Sequence, residues 1–82
     1  MSCLIVFHSL THAQIAADLL RRNGISAVLV KPPTTLGRGS CAYGLLLKDS
    51  VLPAALELLG KTNRKPLGIF QAAHGGWQEV RL

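Results

Sequence analysis

Short apolar runs alternate along the chain with stretches that are apolar on one side only. Cys3-Leu4-Ile5-Val6-Phe7-His8 holds no polar residue before its histidine, the pattern of a central strand buried on both faces. Ile25 to Lys31 reads as a second strand, ended by Pro32-Pro33 because proline cannot donate to a ladder. Tyr43 to Lys48 is a third and Leu67 to Ala72 a fourth. Between the first and second strands, Ile15, Ala16, Leu19 and Leu20 fall at helical spacing, with Gln14, Asp18, Arg21 and Arg22 outside. This predicts a helix from about His12 to Asn23, capped by Ser9 or Thr11 and closed by Gly24 in a left-handed conformation. Val51, Leu52, Ala55, Leu58 and Leu59 predict a second helix over about Val51 to Lys61, with Asp49-Ser50 as its cap and Pro53 tolerated in its first turn. Thr62 to Lys65 is a polar connection.

The resulting order, β-α-β-β-α-β, predicts an α+β ferredoxin-like sandwich. Two helices would cover one face of a four-stranded antiparallel sheet built from residues 1–72. Residues 73–82 form a tail in which Gly75-Gly76 is a turn signal and Trp77 to Leu82 alternates. That predicts an extra C-terminal strand, folded back as an edge hairpin or reaching to a second subunit.

Composition narrows the function classes. With 82 residues, 49% hydrophobic and 16% charged, the chain is one packed domain, and its apolar excess raises the expectation of a homodimer. The net charge of +5 would attract anionic partners, but the cations are scattered in runs no longer than two. Phe7, Tyr43, Phe70 and Trp77 do not interleave with them, which argues against nucleic acid. Two cysteines cannot make a disulfide framework, and no apolar stretch approaches the roughly 20 residues of a membrane span. No signal peptide is expected ahead of the first strand. The expected setting is cytoplasmic and reducing, without a membrane role.

Candidate chemistry concentrates between the second and third strands, from Lys31 to Gly44. A cysteine reacts as its thiolate, and at an ordinary pKa of about 8.5 only a few per cent is ionised at pH 7. Nearby cations and backbone N–H groups raise that fraction. Arg38 stands three residues before Cys41, Ser40 can donate a hydrogen bond, and Lys31 lies at the root of the loop. Gly37, Gly39 and Gly44 would let backbone approach an anion. The thiolate surroundings are therefore expected from Arg38, Gly39, Ser40, Gly44 and Lys31. The bland alternative is a hairpin connection whose cysteine starts a buried strand. Cys3, inside an apolar run, is expected to be core.

His8 and Ser9, at the end of a central strand and beside a helix N-terminus, are candidates to face a ligand. No metal-ligand spacing is present, and the predicted strand-to-helix junction separates His8 from His12. No carboxylate pair suggests hydrolysis, and the glycine-rich loop leads into a strand, so it is not a phosphate loop. No metal and no cofactor are expected.

Phe7-His8-Ser9 closing the first strand, Asn23-Gly24-Ile25 leading into the second, then Pro32-Pro33, Leu36 and Gly39-Ser40-Cys41 resemble the small family of selenium/sulfur carrier-like proteins. The resemblance runs from the first strand through Phe70. The family commonly has a Pro-Arg pair well ahead of its cysteine and a glycine directly after it. Here Arg38 is close to Cys41, and Ala42 follows it, with glycine delayed to Gly44. The resemblance implies a carrier, not a turnover enzyme: Cys41 would take sulfur or selenium as a persulfide or selenopersulfide from a donor protein and pass it to an acceptor protein. The competing reading is a non-catalytic regulatory or small-ligand-binding module, dimeric, with the loop as a flap.

Overall fold

In the computed structural model, which describes residues 2–32, 42–63, 65–73 and 75–80, the first apolar run becomes β1 (Ser2–Phe7). It pairs antiparallel with β3 (Tyr43–Lys48) on one side and β4 (Gly68–Ala73) on the other. The edges are β2 (Val28–Val30), against β3, and β5 (Gly76–Glu79), against β4. The sheet order is β2-β3-β1-β4-β5, with every pairing antiparallel. The sheet has five strands where four were expected, because the optional C-terminal strand is present and folds back as a hairpin on β4 through Gly75 at φ 78°.

Because side chains alternate along a strand, β1 serves two cores. Cys3, Ile5 and Phe7 pack with Leu45 and Leu47 under both helices. The first helix, α1 (Leu10–Arg22), contributes Ala13, Ala16 and Leu20, and the second, α2 (Leu52–Lys61), contributes Leu52, Ala55 and Leu59. Burying each large side chain of this layer stabilises by about 1.5–3 kcal/mol. Leu4 and Val6 face the other way, where Ala42 and the half-buried Val30, Leu67, Phe70 and Trp77 surround them.

Ser9, of the two candidates, is the N-cap of α1, in extended geometry with its hydroxyl accepting from the His12 backbone. At the other end the Gly24 N–H donates to Arg21 carbonyl (3.1 Å) and the Ile25 N–H to Leu20 carbonyl (2.9 Å). With Gly24 at φ 79°, these bonds form a Schellman cap, and Ile25 and Leu20 share the core that accompanies it.

Four expectations are corrected. Ile15 is not inward: the buried stripe of α1 is Ala13-Ala16-Leu20, and Ile15 is 41% exposed toward the β2 edge. The second strand is Val28–Val30, since Ile25 is committed to the helix cap. Asp49 and Ser50 do not cap α2; they form a 3-10 turn, Asp49–Val51, and α2 starts after it with Pro53 near its N-terminus. His8 is outside β1 and exposed.

Candidate functional site

One end of the sheet gathers the described part of the expected site, Lys31, Gly44, His8 and Ser9. β1 stops at Phe7, opposite Tyr43, and β2 stops at Val30, opposite Gly44. The start of β4 lies there too, with the Leu67 N–H donating to Val6 carbonyl at 2.7 Å. The chain leaves this edge at Pro32, which is buried, and re-enters at Ala42, also buried. Cys41, Arg38, Gly39 and Ser40 lie outside the described residues, so the expectations placed on them rest on the roots of the segment.

Lys31 ties those roots together. Its Nζ donates to the Ala42 carbonyl at 3.0 Å and stands 4.5 Å from the centroid of the Tyr43 ring. A charge-assisted hydrogen bond and a cation–π contact hold the ammonium at the residue next in sequence to Cys41. Lys31 is thus a positive charge fixed beside the point where the cysteine segment joins the sheet.

Gly44 has a packing duty. It lies within β3 between Val6 and Val30, and a Cβ there would come 2.7 Å from Leu4 Cδ1 and 3.4 Å from the Ile5 carbonyl oxygen. A side chain at this position would have to displace the Leu4 methyl, so the glycine also makes room for Leu4 in the second core.

His8 and Ser9 stand at the same end, where β1 turns into α1. The Ser9 hydroxyl oxygen accepts the His12 backbone N–H at 3.3 Å and lies 2.8 Å from His12 Nδ1. The Ser9 hydroxyl and His12 Nδ1 are hydrogen-bonded, with the donor set by the tautomer of the imidazole. The His8 and His12 rings meet edge to face with centroids 6.3 Å apart. Phe7, His8, His12, Asn63 and Lys65 line a shallow cavity of about 270 Å³. The first turn of α1 contains no acidic residue to offset its positive end. Sequence reasoning named His8 and Ser9 as possible ligand contacts and set His12 apart from them, and it did not place Asn63 or Lys65 here. The spacing Ser9-x-x-His12 was the available signal, because an N-cap places its own third residue over the hydroxyl. Asn63 and Lys65 come from the connection after α2 and carry no sequence signal for this place. Among the described residues no group of three or more His, Cys, Asp or Glu side chains is placed to hold a metal ion.

Cys3 is at the opposite end of β1, and it is a free thiol with no exposure to solvent. Burial pushes its pKa up, and the Asp49 carboxylate adds to that, while the N-terminal amine opposes it. A neutral, enclosed thiol is a packing group.

Among the described residues no helix is long and apolar enough to cross a membrane. No curated protein and no solved structure matches the chain. A family model described as "Putative Se/S carrier protein-like" matches residues 2–71, from the start of β1 to within β4 and across the whole Lys31–Gly44 stretch. On that match, which leaves the end of β4 and β5 outside it, the chain belongs to the Se/S carrier protein-like family.

Proposed function

We propose that this chain is a cytoplasmic sulfur or selenium carrier on a ferredoxin-like scaffold, and that Cys41 is the carrying thiol. The observation that carries the reading is the family match over residues 2–71, which spans Cys41. The state of the other cysteine supports it, since Cys3 is sealed in the core with its ionisation opposed. The positive charge of Lys31 at the segment's root supports a thiolate nearby, with Arg38, Gly39 and Ser40 completing its surroundings.

The chemistry balances without a cofactor. The Cys41 thiolate attacks the terminal sulfur of a persulfide on a donor protein, a new S–S bond forms, and the donor leaves as its thiolate. A nucleophile on the acceptor protein then takes the terminal sulfur and Cys41 leaves as thiolate. A perselenide donor would deliver selenium by the same two displacements. The protein supplies presentation and charge, so turnover belongs to its partners.

Intact mass after incubation with a cysteine desulfurase and free cysteine tests this. The wild type should gain one sulfur that reductant removes, and Cys41→Ser should gain none. A labile sulfur on Cys41→Ser equal to that on the wild type would refute the assignment.

A further inference from the structure

We infer that the cavity at the end of β1 binds a small tetrahedral oxyanion of the phosphate or sulfate class through the side chains of His8, His12, Asn63 and Lys65. Three segments of the chain bring these groups together. His8 follows the last residue of β1, His12 lies in the first turn of α1, and Asn63 and Lys65 come from the connection after α2. The other described lining residue is Phe7, which is buried in the helix-side core.

The donor set selects the ligand. All four polar side chains can donate N–H groups, and the ammonium of Lys65 brings positive charge. No carboxylate accompanies them. The chain has four acidic side chains, and each is engaged or placed elsewhere. Asp18 holds Arg21 and Arg22, and Glu57 pairs with Lys61 at 3.4 Å. Asp49 acts on Cys3, at the opposite end of β1. Glu79 is opposite Phe70, which packs with Leu4 and Val6 on the face of the sheet away from the helices. A concave site carrying charge of one sign, in a chain of net +5, concentrates anions.

A divalent cation is the natural rival, because the two imidazoles stand with centroids 6.3 Å apart. The Lys65 ammonium in the same cavity opposes it, and no third His, Cys, Asp or Glu among the described residues joins the pair. Size limits the ligand as well. At about 270 Å³ the cavity falls below the roughly 300–1,000 Å³ of pockets for drug-sized molecules, which suits a free oxyanion or the phosphoester of a small molecule.

NMR titration of the full chain with sodium sulfate and, separately, sodium phosphate tests this, with sodium chloride at matched ionic strength as reference. The ring C–H signals of His8 and His12 should shift and saturate with both oxyanions, and chloride should not reproduce the shift. Lys65→Met and His8→Gln, both at exposed positions that the fold does not need, should each weaken sulfate binding about two- to fivefold, the scale of one exposed charged contact. Lys48→Met, at the opposite end of the sheet, should leave it unchanged. Sulfate keeps its charge between about pH 8 and 6, so its affinity should rise over that fall as imidazoles gain protons beside Lys65. Methyl phosphate separates the two sources: binding tighter than inorganic phosphate assigns a phosphoester, and weaker binding assigns the free ion. The site is independent of the carrier chemistry, so Cys41→Ser should bind sulfate as the wild type does. The absence of a saturable shift, an equal shift with chloride, or unchanged sulfate affinity in Lys65→Met would overturn the inference. Binding of Zn²⁺ at His8 and His12 without any response to sulfate would overturn it as well.

Discussion

At the start of β1, Cys3 is flanked by Leu47 on β3 and Gln71 on β4 and has no contact with solvent. At its far end, five residues later, His8 is exposed beside Ser9 and His12, and the roots of the Cys41 segment meet under the Lys31 ammonium. The first end opposes a thiolate twice, by burial and by the Asp49 carboxylate. The second offers a fixed cation, a helix start without a carboxylate, and a cavity bordered by His8, His12 and Lys65. A chain with two cysteines thus sorts them by position. Strand alternation points Cys3 under the helices, while the connection that contains Cys41 is rooted at Pro32 and Ala42, at the opposite end of the sheet.

The largest expected effect comes from breaking the closed end. Ile5 is two residues from Cys3 in the same core, so Ile5→Ala should cost about 2–5 kcal/mol by chemical denaturation. If Cys3 reacts only through unfolding, its alkylation should then accelerate by at least about thirtyfold, while that of Cys41 changes little. Unchanged Cys3 labelling in a measurably destabilised variant would show a local route to this thiol.

The open end is tested by Lys31→Met, which keeps the length of the side chain and removes its charge. Loss of the bond to Ala42 and the contact with Tyr43 should cost about 1 kcal/mol. Alkylation of Cys41 near pH 7 should slow a few-fold, read by mass spectrometry, with Cys3 unaffected. An equal change at both cysteines would mean that Lys31 acts on the whole fold.

The smallest effect concerns pH. The folded pKa of Cys3 lies above its unfolded value, so the folded state holds the proton more tightly. The associated stability is complete below the unfolded pKa of about 8.5 and is lost as pH rises from there through the folded value. Denaturation midpoints should therefore decline above about pH 8.5 more steeply for the wild type than for Cys3→Val. Parallel profiles would remove Cys3 from the alkaline transition.

Much of this architecture could be read from local signals. The third strand is Tyr43–Lys48 as its apolar run predicts, and Gly24 takes the left-handed conformation that a helix stop requires. What escaped was set by geometry between segments. The Schellman cap consumed Ile25 and shortened β2, which only the bonds back to Leu20 and Arg21 reveal. Ile15 looked inward because it neighbours Ala16, but a helix advances about 100° per residue and the sheet selected the Ala13-Ala16-Leu20 stripe. At the site, Lys31 was legible as a root residue, yet its tie to Ala42 spans the whole loop in sequence. His8 and His12 were read as separated by a junction, whereas the tight Ser9 cap brings their rings together. Gly44 was read as part of the loop and lies within β3, where a Cβ would meet Leu4.

The central claim is that one thiol is withheld and the other presented, and a labelling race between them tests it most directly. The folded wild type would be pulsed with iodoacetamide from pH 6 to 9, quenched, digested and counted by mass spectrometry. The account predicts that Cys41 is modified first at every pH, with a rate midpoint below the ordinary thiol value of about 8.5. Cys3 should be labelled only after denaturant is added. Equal rates at the two cysteines in the folded protein, or faster labelling of Cys3, would contradict it.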